Sequence, residues 1–277
     1  MTYKTILTCT DGETDGRGRM SAAIALSRRF DAHLSVVALG YEPDLPAYAY
    51  GEAPSLAMTQ WYEESRKRAE TLAEAAAERL EREGARGDAA PLVATYAGAG
   101  PAFGARARFS ELVVLAGGDG QGGDGAELSE ALLEGALFDG DAAVLLAPRE
   151  LPEKVGSTTL IAWNDSREAL RAVRHAMGFL SEAEKIEIVM IDPDEDMAAS
   201  GEALALMLSR HDLPVELAPL PDEGLGASGA LRRRAIEIGA DLMVMGAYGR
   251  SRFRELILGG VTRDIIRDTP LPVLMAH

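Results

Sequence analysis

Four glycines fall within "GAYGRSRFRELILGG", residues 246–260: Gly246, Gly249, Gly259 and Gly260. None carries a side chain, so whatever they do is done by the main chain. A bare amide is a hydrogen-bond donor, and a run of them at the start of a helix suits an oxyanion. Glycine also permits positive φ and lets a ligand approach the backbone closely. The stretch follows the apolar run Leu242–Met245 and precedes "GVTRDIIRD", whose spacing predicts a helix opening near Gly260 with Val261, Ile265 and Ile266 turned inward. Gly259, Gly260, Val261 and Thr262 then offer N–H groups, and Thr262 a hydroxyl, to a phosphate. Turn geometry is the competing explanation, since glycine is common wherever a strand runs into a loop.

Strands and helices must position these groups, and the chain supplies them in alternation. "KTILTCTD" (4–11), "HLSVVALG" (33–40), "PLVATYAG" (91–98), "ELVVLAGG" (111–118) and "DAAVLLAP" (141–148) read as strands. Residues 59–84 form the clearest helix, rich in Ala, Glu and Arg and closed by Gly84. The polar segment "RELPEKVGS" (149–157) reads as a linker. The order then returns: strands at 157–165, 185–192, 213–220, 240–247 and 271–277, with helices over 167–180, about 200–211 and about 227–239. An offset of 129 residues, the separation of Gly117 from Gly246, lays Leu242–Met245 on Val113–Ala116. It also sets Gly249 on Gly120 and Val273–Leu274 on Val144–Leu145, without a gap. The sequence therefore predicts two units of related pattern, 1–150 and 151–277, each an α/β domain with a parallel sheet covered by helices.

Composition sets outer bounds. The chain of 277 residues is 47% hydrophobic and 26% charged, which fits a folded protein. A net charge of −16 argues against a nucleic-acid scaffold. The single cysteine, Cys9, allows no intrachain disulfide. The opening "MTYKTILTCTDG" does not read as a signal peptide, and no apolar run reaches the ~18 residues of a membrane span. A cytoplasmic protein without membrane contact is the expectation.

Other residues invite chemistry less strongly. Cys9 sits mid-strand with no histidine beside it, so a buried structural thiol is expected. His33, His175, His211 and His277 lack metal-ligand spacing. Asp11, Asp15 and Asp165 are better read as solvated or capping groups than as Mg²⁺ ligands. Arg250, Arg252 and Arg254 either steer an anion or form a solvated basic face. Trp61 and Tyr62 are expected to pack. Trp163 either borders the crevice at its strand end or fills it. No nucleophile–base pair stands out, which favours binding over catalysis.

The segment "GAYGRSRFRELILGGVTRDIIRDTPLPVLMAH" resembles the carboxyl end of the universal stress protein family, whose pattern is G-x2-G-x9-G-[ST], then a helix and a P-V-L strand. "LIAWNDSREALRAV" resembles that family's first strand and helix. The likeness covers 157–277 and, more weakly, 1–148, so the chain resembles a tandem member. The resemblance implies an open five-stranded sheet of order 3-2-1-4-5 in each half. It implies pairing of halves through their last strands, inside one chain, and leaves a homodimer open. It also implies an ATP-type nucleotide, with Mg²⁺, held in the second half. The site residues would be Ala162, Trp163 and Asn164 at the end of the first strand, Met245, Gly246 and Gly249 after the fourth, and Gly259, Gly260, Val261 and Thr262 at the helix start. A stress-response module without catalysis is the implied role; a partner-binding protein with no nucleotide is the alternative.

Departures from the pattern temper this. Asn164 replaces the family's Asp and carries no charge. Gly260 replaces Ser/Thr, removing a hydroxyl that Thr262 partly restores. In the first half Asp11, Gly117 and Gly120 are kept, but Glu130 and Ala131 stand at the third glycine and the Ser/Thr, and a carboxylate repels phosphate. Asp119 and Asp124 add charge to a loop read as flexible, so no nucleotide is expected there. The related nucleotide α-hydrolase enzymes carry S-G-G-x-D-S after the first strand; "TDGETDG" and "NDSREAL" do not match it.

Overall fold

The computed structural model describes residues 3–12, 18–42, 54–117, 124–248, 260–267 and 271–277, with backbone alone at 54–58 and 124–127. The chain divides into two compact units.

The amino-terminal unit takes Tyr3–Ala116 and continues through Ala142. It contains β1 (Thr5–Thr10), α1 (Arg19–Arg29), β2 (His33–Glu42), α2 (Pro54–Arg82), β3 (Gly87–Thr95), α3 (Tyr96–Ala107), β4 (Leu112–Ala116) and α4 (Asp124–Glu134). A π-helical segment, Gly135–Asp139, prolongs α4. The strands are parallel in the order β3-β2-β1-β4, with Thr5 opposite His33 and Ile6 opposite Leu112.

The carboxyl-terminal unit holds Ala143–His277. It contains β5 (Ala143–Ala147), β6 (Thr158–Ala162), α5 (Arg167–Leu180), β7 (Lys185–Ile191), α6 (Glu195–Ser209), β8 (Val215–Leu220), α7 (Gly226–Ile238), β9 (Leu242–Gly246), α8 (Gly260–Arg267) and β10 (Val273–Ala276). The order β8-β7-β6-β9-β10 is parallel and is the expected 3-2-1-4-5. β5 runs antiparallel to β10, Leu145 opposite Leu274, within this unit. The strand order β3-β2-β1-β4-β5 also follows the expected 3-2-1-4-5, and the sheets are parallel-dominated rather than wholly parallel.

Burial explains the apolar runs. Leu112–Leu115, Ala143–Ala147 and Leu242–Met245 are all buried, as strands covered on both faces must be. The outermost strands differ. β3 and β8 mix exposed and half-buried residues with none buried, and each carries a proline, Pro91 or Pro219, where a missing N–H does least harm.

Three helices depart from the sequence pattern, each for a local reason. α3 takes over the end of the strand predicted at 91–98 and continues through residues for which the sequence predicts no element. Thr95 ends the strand and caps the helix, its Oγ1 accepting from Gly98 N at 3.1 Å. α4 falls where no element is evident in sequence. α6 begins at Glu195, five residues early, because Asp194 caps it by accepting from Met197 N at 2.8 Å. α3 and α4 cross unusually closely. A Cβ on Gly135 would lie 2.0 Å from the Gly100 carbonyl, and one on Gly104 2.3 Å from the Gly135 carbonyl. Glycine at these positions is a packing requirement.

Candidate functional site

In the carboxyl-terminal unit the chain runs outward from β6 to β7 and β8, then returns on the other side of β6 as β9 and β10. The sheet order reverses between β6 and β9, which is where open α/β sheets bind ligands, beyond the carboxyl ends of the strands. Ala162 and Met245 are register partners at those ends. Met245 is buried and Ala162 half-buried.

Trp163 extends β6 by one residue, its N–H donating to Val189 O at 2.9 Å. Its indole is 7% exposed and donates Nε1–H to Ser200 Oγ on α6 at 2.9 Å. The ring is therefore pinned toward α6.

Asn164 is exposed. Its Oδ1 accepts from Ser166 Oγ at 2.6 Å and from Ser166 N at 3.2 Å. Ser166 Oγ accepts in turn from Ala169 N at 3.1 Å and caps α5. Asp165, between them, sits at φ +57°. Asn164 is thus the first link of a capping relay, and its Nδ2 has no bond among the described residues.

Gly246 behaves differently from the sequence expectation. It does not adopt positive φ. Its bareness instead admits α5: an added Cβ would sit 2.6 Å from Ala169 N and 2.9 Å from Glu168 C. The backbone approaching it is the protein's own. Ala247 is buried and donates its N–H to Ala276 O at 2.9 Å, and Tyr248 follows at φ +59°.

The first described turn of α8 brings Gly260, Val261 and Thr262. Gly260 is exposed, and a Cβ there would meet nothing within 4 Å. The inward face is Thr262 and Ile265, while Val261 and Ile266 are half-buried. This corrects the expected inward set of Val261, Ile265 and Ile266: Thr262 and Ile265, three apart, share the covered face. The Thr262 hydroxyl is therefore buried rather than displayed. Asp264 accepts from Ser228 Oγ at 2.9 Å, tying α8 to α7. Gly249, Gly259 and the arginines 250, 252 and 254 lie outside the described residues, as do Asp15, Asp119 and Gly120.

The corresponding end of the amino-terminal unit is built from charge. Asp11 Oδ1 lies 3.5 Å from Arg19 Nη2, and its carbonyl accepts from Arg68 at 3.2 Å. Cys9 is fully buried, and that burial raises its thiol pKa, so it is a protonated core group as expected. Glu130 and Ala131 are interior residues of α4. Their amides belong to the helix ladder, so no helix start exists at the position matching Gly259–Gly260. The sequence missed Arg19 and Tyr41, the second of which stacks on Tyr96 with centroids 5.0 Å apart. Trp61 and Tyr62, expected to pack, are 43% and 49% exposed. Among the described residues no His/Cys/Asp/Glu group forms a metal-binding set, and no helix is long and apolar enough to cross a membrane. His33 bonds Asp88 at the surface, and His277 Nδ1 lies 3.1 Å from Ala247 O at a strand end.

The sheet order defines an open-sheet α/β protein of the doubly wound type. Residues 226–277 match the family model described as "Usp: Universal stress protein family". A curated relative, Universal stress protein Slr1230 of Synechocystis sp. (strain ATCC 27184 / PCC 6803 / Kazusa), is 42% identical over 48 residues, covering 17% of each chain. The match thus spans about a sixth of that relative's length. A universal stress protein from Archaeoglobus fulgidus DSM 4304 has a similar structure, with TM-score 0.74 and 16% identity, over 98% of this chain and 97% of that one. A protein of unknown function from Pseudomonas aeruginosa PAO1 matches at TM-score 0.60 and 14% identity, over 99% and 92%. At those identities the likeness is one of fold. The sequence likeness to that family lies in the carboxyl-terminal unit, over residues 226–277, and the fold of the chain resembles that of the Archaeoglobus fulgidus protein.

Proposed function

We propose that this chain is a non-catalytic stress-response module that holds an ATP-type nucleotide, with Mg²⁺, in the carboxyl-terminal unit only. The observation that carries this is the crevice at the β6/β9 switch point. Asn164 faces solvent beside it, and α8 presents Gly260 with open space around it. Asn164 Nδ2 supplies donors where the family has a carboxylate, which suits the acceptor nitrogens of a base or a ribose oxygen. The amides of Gly260, Val261 and Thr262 and the dipole of α8 favour phosphate. With Thr262 buried, phosphate contact falls to the main chain rather than to a hydroxyl. The absence of a nucleophile–base pair in the sequence supports binding without turnover.

One pair of observations favours the alternative of a partner-binding protein with no nucleotide. Asn164 and Gly246, two of the residues matched to the family's site, both serve the α5 turn.

The readings separate by denaturing purified protein and assaying released nucleotide, then measuring the melting shift with ATP–Mg²⁺. At a hundredfold excess over Kd, binding stabilises by about 2.7 kcal/mol. Gly260→Glu, which has room to fold, is expected to remove that shift by placing a carboxylate at the helix start. An unchanged shift would move the phosphate elsewhere; no nucleotide and no shift would leave the partner reading.

A further inference from the structure

The unit expected to bind nothing holds the better-built polar site. α1 begins at Arg19 behind a left-handed Gly18, with no side-chain cap and no acidic residue in its first turn. Its positive end is therefore uncompensated by its own side chains. Arg19 is 4% exposed, and its Nε and Nη2 are buried with no hydrogen-bond acceptor. These two atoms share one edge of the guanidinium fork, the edge that receives the paired oxygens of a carboxylate. Near the end of β2, the Tyr41 hydroxyl is likewise buried without a partner. Buried donors this expensive are usually satisfied, so each of the three calls for an acceptor.

The groups share one environment. Burial raises the Tyr41 phenol pKa; Cys9 and Asp11 push it further up and Arg19 pulls it down. The phenol stays protonated, as a donor, at neutral pH. Charge then selects the ligand. Arg19 stands against the Asp11 carboxylate, and Arg68 against the Asp11 carbonyl. A dianionic phosphate is repelled by the Asp11 carboxylate more strongly than a singly charged carboxylate is.

We propose that the amino-terminal unit binds a small carboxylate-bearing monoanion beyond the carboxyl ends of β1 and β2, held by the Nε/Nη2 edge of Arg19 and the hydroxyl of Tyr41. The stacked Tyr41–Tyr96 pair, with Tyr96 48% exposed, gives the ligand an aromatic border. This site is independent of the nucleotide reading above.

The test is a titration of the full chain with acetate, benzoate and inorganic phosphate in turn, ionic strength held constant with chloride. The arginine Nε–H resonances are followed by NMR, with the Arg19 signal assigned as the one lost in Arg19→Lys. A saturable shift of that signal with acetate, tighter with benzoate, is expected. Arg19→Lys should weaken benzoate binding about tenfold or more, the loss typical of a hydrogen bond to a charged group. Tyr41→Phe, which removes one buried hydroxyl and keeps the ring, should weaken it severalfold in a fully folded protein. Gly260→Glu should change nothing. A shift that never saturates, tighter binding of phosphate than of either carboxylate, or wild-type affinity in Tyr41→Phe would overturn the proposal.

Discussion

At the amino ends of the strands the two units use the same device. Glu111, just before β4, accepts from the backbone amides of Lys4 and Thr5 and donates its own amide to Thr5 O. Asp241, just before β9, accepts from the amides of Gly156, Ser157 and Thr158 and donates its own to Thr158 O. One carboxylate fixes the start of the first strand against the fourth in both. Burial still outweighs the three amides at Asp241 and raises its pKa. At the carboxyl ends the units part company. One has a short polar relay from Asn164 through Ser166 to Ala169; the other has a buried arginine against an aspartate. In one, α8 is described from Gly260; in the other, a helix already runs through Glu130 and Ala131. The amino ends share one device while the carboxyl ends differ, so the two units are not expected to take the same ligand.

The comparison can be attacked at its glycines, and the expected effects fall in order. Gly135→Val in the amino-terminal unit should be the most damaging. Its Cβ would overlap the Gly100 carbonyl, and helix backbones cannot yield as side chains do. A loss of about 3 kcal/mol or more is expected in urea unfolding. Gly246→Ala is next. The first turn of α5 must move away from β9, costing about 1–3 kcal/mol and weakening any nucleotide-induced melting shift. A neutral Gly246→Ala would mean the close approach to α5 is not what holds glycine there. Gly260→Ala is the smallest. With nothing within 4 Å it should stabilise the protein by about 0.5–1 kcal/mol, as removal of a helical glycine does. A destabilised Gly260→Ala would show that α8 needs its first turn bare.

Elements with strong periodicity or uniform burial were legible in the sequence. The helix over 167–180 and the runs at 112–116 and 242–246 needed no tertiary information. α3 was hidden because "YAGAGPAFGARA" is built from small residues and one proline, and its helicity rests on the Thr95 cap and the close crossing with α4. The direction of β5 was hidden because an apolar run five residues long reads the same both ways. At the site, spacing located the crevice but not the use made of its residues. Gly246 was readable as a bare position, yet only coordinates show that α5 fills the space. Arg19 carried a usable signal: an arginine opening a helix whose next eight residues are small or apolar, eight residues after Asp11. It was overlooked because arginine at a helix start is unfavourable to the dipole and reads as solvated.

The prolines in β3 and β8 reach beyond the single molecule. Each stands on a strand that borders its sheet, and each breaks the ladder of donors that an incoming extended segment would have to grip. Growth of either unit's sheet by recruitment of further chains is obstructed at that margin, which makes conversion into a fibre harder.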